Sequence, residues 1–337
     1  MDDLKVTPQA KQSWLLDLVI GPVRWSLLNV ALELRLFDYL QSADTAASLA
    51  KKLDLKPVKT AVLLDALTSL GVLAKKHGQY KVVASLKMFL QSDSKQSMRD
   101  MLLHLAKVKH SDASSILQVL KTGKSSHVSA NYAQPEFWDK AVDNLRSFHA
   151  SCSNQVAINI LQNLPQWPNV KTFMDVGAGS EYLAANLAEN YPDLAIRVFD
   201  LAPCAKRIET ALTPLQHRQI EVLAGDYNLD EIKPENDLIW ASMSLYYAKD
   251  LNLVLGKIHA ALTSSGILVC LHEGLQAERT LPEHHVVGRF VPAMNGMDVS
   301  FSHGVLAKAM KTVGFSRIVS QSIDTVYGPM QLDIGYR

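Results

Sequence analysis

The chain has 337 residues, 48% of them hydrophobic and 20% charged, with 34 Lys and Arg against 33 Asp and Glu for a net charge of +1. That composition describes an ordinary globular protein of about two domains and excludes a disordered chain. The missing basic excess argues against nucleic acid as the principal partner.

The first long apolar stretch, Leu15 to Leu36, is interrupted by Asp17, Arg24, Asn29, Glu33 and Arg35, so it reads as a helix and not as a membrane span. No basic segment followed by an unbroken apolar run opens the chain, so a cytoplasmic protein without a signal peptide is expected. Trp25, Leu28, Ala31, Leu32, Leu36 and Leu40 recur at helical spacing and define one amphipathic face. Thr45 is placed to cap a short helix over Ala46–Ala50. Another helix is expected over Pro57–Leu70, with Val62, Leu63, Leu67 and Leu70 buried and Gly71 at its end. Val72–Val83 reads as a hairpin turning at His77-Gly78. Helices followed by such a hairpin make a winged helix. Its second helix offers only Lys56 and Lys59, which favours packing and dimerisation over DNA reading.

Residues 97–165 continue as helices, with a polar break at Thr122–Ser129. From Val170 the period changes. Short apolar runs at Lys171–Val176, Ala195–Phe199, Gln219–Leu223, Asp237–Ser242 and Ile267–His272 are separated by helical segments at Glu181–Asn190, Lys206–Leu212 and Leu251–Leu262. This alternation predicts an α/β, Rossmann-like parallel sheet with helices on both faces, and ligands bound at the carboxyl ends of its strands. The domain boundary is placed near residue 165, giving a helical domain over 1–165 and a sheet domain over 166–337. Cys152, Cys204 and Cys270 are too far apart to suggest ligand spacing, so reduced buried thiols are expected and no metal site.

Several strand ends carry chemistry. Phe173-Met174-Asp175-Val176-Gly177-Ala178-Gly179-Ser180-Glu181 is a strand running into a glycine turn where backbone can approach a ligand. A third glycine is usual, and Glu181 stands there. Asp200, about 20 positions beyond the glycines, is placed to accept hydrogen bonds from a ribose diol; a helix cap is the competing role. Asp226 and Tyr227 offer a carboxylate and an aromatic face for an adenine, or a plain Asx turn.

These residues carry a family resemblance. From about Trp25 to Phe315 the chain resembles the S-adenosylmethionine-dependent O-methyltransferases typified by hydroxyindole, plant phenolic and bacterial antibiotic or phenazine methyltransferases. The resemblance rests on Ala31–Asp38, Thr45–Ala50 and Leu63–Leu73 in the first half. In the second half it rests on Asp175–Gly179, Phe199-Asp200-Leu201, Gly225-Asp226-Tyr227 and Ala309–Phe315. It implies a class I methyltransferase sheet, a winged-helix dimerisation domain and a homodimer. S-adenosylmethionine would lie along Gly177, Gly179, Glu181, Asp200, Leu201, Asp226, Tyr227 and Ser242.

Besides Glu181 in the glycine turn, and Phe301-Ser302 where an Arg-Thr pair opens a late family helix, the chain departs from the family in the segment after the fourth strand begins. Ser242 stands where many members carry Lys, and Tyr246-Tyr247-Ala248 replaces a His-Asp-Trp whose His is the general base. The catalytic candidates are therefore Tyr246, with His272 and Glu273 at the end of the fifth strand. His149, His285, Met294 and Met297 are the candidates for the acceptor pocket. The implied function is methyl transfer, to oxygen or nitrogen, on a small aromatic secondary metabolite. The altered turn and absent base keep open a scaffold turned to pericyclic, hydroxylation or decarboxylation chemistry. A ligand-sensing DNA regulator is a further alternative.

Overall fold

Helix α1 (Gln9–Glu33) stops where Arg35 takes a left-handed conformation, φ 49°. A computed structural model describes residues 9–109, 112–124, 135–296 and 300–337. The chain divides into two compact units, Met1–Leu103 and His104–Arg337.

In the first unit, β1 (Asp44–Thr45) leads into α2 (Ala46–Lys52), and Thr45 caps it by accepting the Ser48 N–H at 3.2 Å. Helix α3 (Pro57–Ser69) starts with proline, whose fixed φ suits the first turn, and Gly71 follows its end in the left-handed region. Strands β2 (Leu73–Lys76) and β3 (Gln79–Val82) form the expected hairpin. His77 and Gly78 both have positive φ, as a twisted two-residue turn demands. The sheet order is β1-β3-β2, and α4 (Lys87–Leu90) follows.

Ala31, Leu32, Leu36, Leu40, Leu49, Leu64 and Leu67 form the unit's core, each large side chain contributing about 1.5–3 kcal/mol by leaving water. The stripe expected on α3 needs correction. Thr60, Leu64 and Leu67 face inward, whereas Val62 is 64% exposed and Leu70 37%. Spacing of four and three from Thr60 selects a face to which neither Val62 nor Leu70 belongs. The outward side of α3 thus shows Val58 and Val62 beside Lys59, a poor surface for phosphates. On α1, Trp14, Leu15, Leu16, Leu18, Val19 and Ile20 are exposed. By length and composition alone, residues 12–33 of this helix are apolar enough to cross a membrane.

Helix α5 (Arg99–Lys109) carries the division between the units. The second unit continues with α6 (Ala113–Thr122), ended by left-handed Gly123, then α7 (Pro135–Phe148). A five-residue π turn, His149–Ser153, joins α7 to α8 (Asn154–Gln162). The change from helix to sheet near residue 165 is present, but compactness divides the chain earlier. The α8 residues Ala157, Ile158 and Leu161 lie in one core with the sheet.

The sheet follows with β4 (Thr172–Val176), α9 (Tyr182–Asn190), β5 (Ala195–Asp200), α10 (Ala202–Ala211), β6 (Ile220–Ala224), β7 (Asn236–Ser242), α11 (Leu251–Ala261) and β8 (Leu262–His272). Beyond these come β9 (Gly274–Leu275), α12 (Glu283–Gly288), α13 (Phe290–Met294), β10 (Phe301–Ser302), α14 (Val305–Thr312), β11 (Arg317–Thr325) and β12 (Gly328–Tyr336). Seven strands pair in the order β11-β12-β8-β7-β4-β5-β6. Five are parallel, as expected, but the all-parallel expectation fails at one edge. There β12 pairs antiparallel with both β8 and β11, because Val326-Tyr327 closes β11 and β12 into a hairpin with no crossover helix.

Alternate residues serve opposite cores. Phe173 and Trp240 pack with α8 and α9, while Met174, Ile239 and Ala241 pack with α11 and α14. Burial on both faces explains why these strands read as continuous apolar runs.

Candidate functional site

The strand ends converge on the glycine turn after β4. Gly177 and Gly179 have φ of +72° and +67°, the left-handed region that glycine enters without a Cβ penalty. A Cβ at Gly177 would stand 2.5 Å from the Cβ of Ser244. Ser244 itself donates from Oγ to the Val176 carbonyl at 2.8 Å, so the ends of β4 and β7 are stitched together.

Asp200 closes the second strand with both carboxylate oxygens engaged. Oδ2 accepts the Gly179 N–H and Oδ1 the Leu201 N–H, each at 2.7 Å. Burial raises its pKa, and the two amide donors oppose that shift. The Cys204 thiol donates to the same carboxylate, which leaves it one lone pair for a ligand hydroxyl, and α10 itself starts at Leu201 without a side-chain cap. Beside it, Asp175 is fully buried, and desolvation together with the Asp200 charge pushes its carboxyl well above the usual range.

Glu181 is 7% exposed and opens α9. Its Oε1 accepts Arg146 Nε at 3.0 Å and Nη2 at 2.7 Å, while its Oε2 is buried with no hydrogen-bond partner. Arg146 lies on α7, one turn before His149. The His149 Nδ1 meets Ser180 Oγ at 2.6 Å. Desolvation lowers the His149 pKa to about 4, so the ring is neutral at physiological pH. His149 packs on the glycine turn, 3.4 Å from where a Gly179 Cβ would stand. Sequence reading missed Arg146; its spacing of three from His149 along one helix was the available signal.

At the end of β6, Asp226 makes the Asx turn weighed earlier, its Oδ1 accepting the Asn228 backbone N–H at 2.9 Å. Tyr227 donates its hydroxyl to the Ser244 carbonyl at 2.8 Å, and its ring packs beside the α11 core. Lys257 of α11 donates to the carbonyls of Tyr227 and Asp230. Ser242, half-buried at the end of β7, leaves that position without a cation.

The remaining candidates separate into two groups. His272 is 2% exposed, with Nε2 2.9 Å from Asp333 Oδ2 across the β8–β12 pairing and its ring edge against Phe301. Burial acts to raise the Asp333 pKa, but hydrogen bonds from His272 and Ser320 outweigh it and hold the group below its ordinary value. His272 thus belongs to a buried pair inside the sheet. His285 is buried too, with Nε2 against the Pro329 carbonyl, so it ties α12 to β12.

Tyr246, Glu273 and Arg289 form the second group. Arg289 donates to Glu273 Oε1 at 2.7 Å and its guanidinium lies 5.5 Å from the Tyr246 ring centre. Burial first, and then the Glu273 charge, push the Tyr246 phenol well above its ordinary pKa, so it is held protonated. Met294 ends α13, half-buried. Met297 lies outside the described residues.

Two family models cover this architecture. An O-methyltransferase dimerisation domain matches residues 16–92, and an O-methyltransferase domain matches 106–299, more than half of the chain. The chain belongs to the O-methyltransferase family. Among its relatives, this family member is 32% identical over 190 residues to aclacinomycin 10-hydroxylase RdmB of Streptomyces purpurascens, covering 53% of the chain and 50% of that protein. It is 27% identical over 271 residues to acetylserotonin O-methyltransferase of Rattus norvegicus, covering 76% and 61%. The chain therefore spans less than two thirds of the length of either. Its fold matches human N-acetylserotonin methyltransferase in complex with SAM, with a TM-score of 0.76 at 18% identity over 100% of this chain and 99% of that one.

Proposed function

We propose that this O-methyltransferase family member is a homodimeric, S-adenosylmethionine-dependent methyltransferase acting on a small aromatic acceptor. The supporting observation is the convergence of the left-handed Gly177–Gly179 turn, Asp200, and the buried free oxygen of Glu181 at the carboxyl ends of β4 and β5. A buried carboxylate oxygen without a partner is costly, and the ammonium of an amino-acid ligand would satisfy it. The human structure that shares this fold is a complex with SAM.

When bound, S-adenosylmethionine supplies an electrophilic methyl group on a sulfonium. The residues present suit the parts of such a ligand. Glu181 Oε2 would receive the ammonium while Arg146 holds Oε1; Asp200 would accept from the ribose hydroxyls; Asp226 and Tyr227 would border the adenine, and Leu201 and Ser242 would line the same site. On the acceptor side, Glu273 and Arg289 orient the substrate, and Tyr246 offers a proton-bearing hydroxyl and an aromatic wall. Rate then comes from positioning, since neither Tyr246 nor the Asp333-bound His272 is placed to remove a proton.

Calorimetric titration of ligand-free protein with S-adenosylmethionine and S-adenosylhomocysteine tests the cofactor assignment. Micromolar affinity is expected, and absence of binding to folded protein overturns it. Tyr246 held protonated in the base position also favours a second reading, chemistry without methyl transfer, as the hydroxylase name of one relative suggests. Tight cofactor binding with no methyl transfer to any ionised phenol or amine would select that reading.

A further inference from the structure

Three polar atoms near the end of β8 are buried without hydrogen-bond partners: Glu273 Oε2, Arg289 Nε and the Tyr327 hydroxyl. Glu273 and Arg289 meet directly, and Tyr327, in the turn between β11 and β12, is close enough to feel the Glu273 charge. Arg289 and Glu273 share a single hydrogen bond through Nη1 and Oε1, which leaves one further group on each side unused. The Glu273 charge is felt at Tyr246, Tyr327, His285 and Lys109. Lys109 of α5 adds a second cation, its Nζ 3.3 Å from where a Gly288 Cβ would stand.

Aromatic rings lie beside these groups. Tyr246 stacks at a tilt on Phe301 with ring centres 5.7 Å apart, and Phe148 meets Tyr327 edge-on at 5.1 Å. The titratable groups facing Glu273 are two cations, Arg289 and Lys109, two phenols that burial keeps protonated, and His285, which burial keeps neutral. One carboxylate therefore faces two cations. Free donors are Arg289 Nε–H and Tyr327 O–H, and the free acceptor is Glu273 Oε2.

Buried polar groups are normally satisfied, and an orphan on each member of the Arg289–Glu273 pair, with a third on a side chain that feels its charge, marks a position that a ligand completes. We infer that this cluster is an acceptor subsite for an aromatic anion, whose charged oxygen takes hydrogen bonds from Arg289 Nε and Tyr327 while an adjacent donor on the ring reaches Glu273 Oε2. The inference rests on the methyltransferase reading for which site is meant, and it names the acceptor class: an aromatic carboxylate, or a phenol that enters already ionised. An acceptor of that kind has no need of the absent base.

The test compares 2-naphthoate with its neutral isostere 2-naphthamide, and a nitrophenol ionised at the assay pH, by calorimetry on the full chain with S-adenosylhomocysteine titrated in parallel. The carboxylate should bind about 10-fold or more tightly than the amide, the difference expected for a charge-assisted hydrogen bond. Arg289→Gln should abolish the preference. Tyr327→Phe removes only a hydroxyl and should reduce it several-fold; it serves if Arg289→Gln does not fold. Preference for the carboxylate alone, or for the phenolate alone, identifies which anion the subsite takes. Equal binding of carboxylate and amide without tighter binding of the ionised nitrophenol, or no binding of either anion at millimolar concentration, overturns the inference. Binding of S-adenosylhomocysteine without anion preference sinks the subsite alone. Anion preference without S-adenosylhomocysteine binding sinks the methyl-transfer reading and leaves the subsite.

Discussion

His149 shows how a residue's surroundings set its chemistry. Its folded pKa of about 4 lies below the ordinary 6.5, so the unfolded chain binds the proton more tightly. Its contribution to stability is complete above pH 6.5 and is lost as pH falls toward about 4, by up to about 3 kcal/mol at 1.36 kcal/mol per pKa unit. Urea denaturation near neutral pH and again in mild acid should show this loss, with a smaller one in His149→Asn. Arg146 and Glu181 make a second residue-scale case. Arg146→Met strands a buried carboxylate and should cost about 1–3 kcal/mol, discounted because the guanidinium is part exposed. Adding Glu181→Gln should recover most of that cost, which a double-mutant denaturation cycle would read as coupling.

At the scale of elements, two turns carry opposite lessons. The turn after β4 has no room, since a Cβ at Gly177 would meet Ser244 at 2.5 Å in a left-handed backbone. Gly177→Ala should cost about 2–4 kcal/mol. Combined with Ser244→Gly it should cost less than the two changes summed, because the clash is gone. The hairpin of β2 and β3 has space but the wrong residue. His77 holds φ 50° ahead of Gly78, where Asn is preferred, so His77→Asn should raise stability by about 0.5–1 kcal/mol in the same denaturation assay. The glycine turn was legible because its pattern is local. The antiparallel hairpin of β11 and β12 was not, since nothing in its composition separates it from another βα crossover.

For the whole molecule, the exposed apolar face of α1 and the dimerisation-domain match over residues 16–92 bear on assembly. A contiguous apolar surface of this kind calls for a partner. The proposed homodimer should sediment at twice the chain mass of 37.2 kDa. Leu16→Asp with Val19→Asp, two changes one helical turn apart, should shift it to the single-chain mass.

The sequence by itself determined the strand–helix alternation from β4 to β8, the five parallel strands and the positions of Gly177, Gly179, Asp200, Asp226 and Glu273 at their carboxyl ends. Those follow from period, turn chemistry and strand length, all of which act over a few residues. Only the tertiary structure decided partners. It gave Glu181 to Arg146, His149 to Ser180, His272 to Asp333 and Glu273 to Arg289, pairs separated by 16 to 61 positions. Which buried charge meets which is set by the packing of α7, α12 and β12 against the sheet, and no local pattern encodes that.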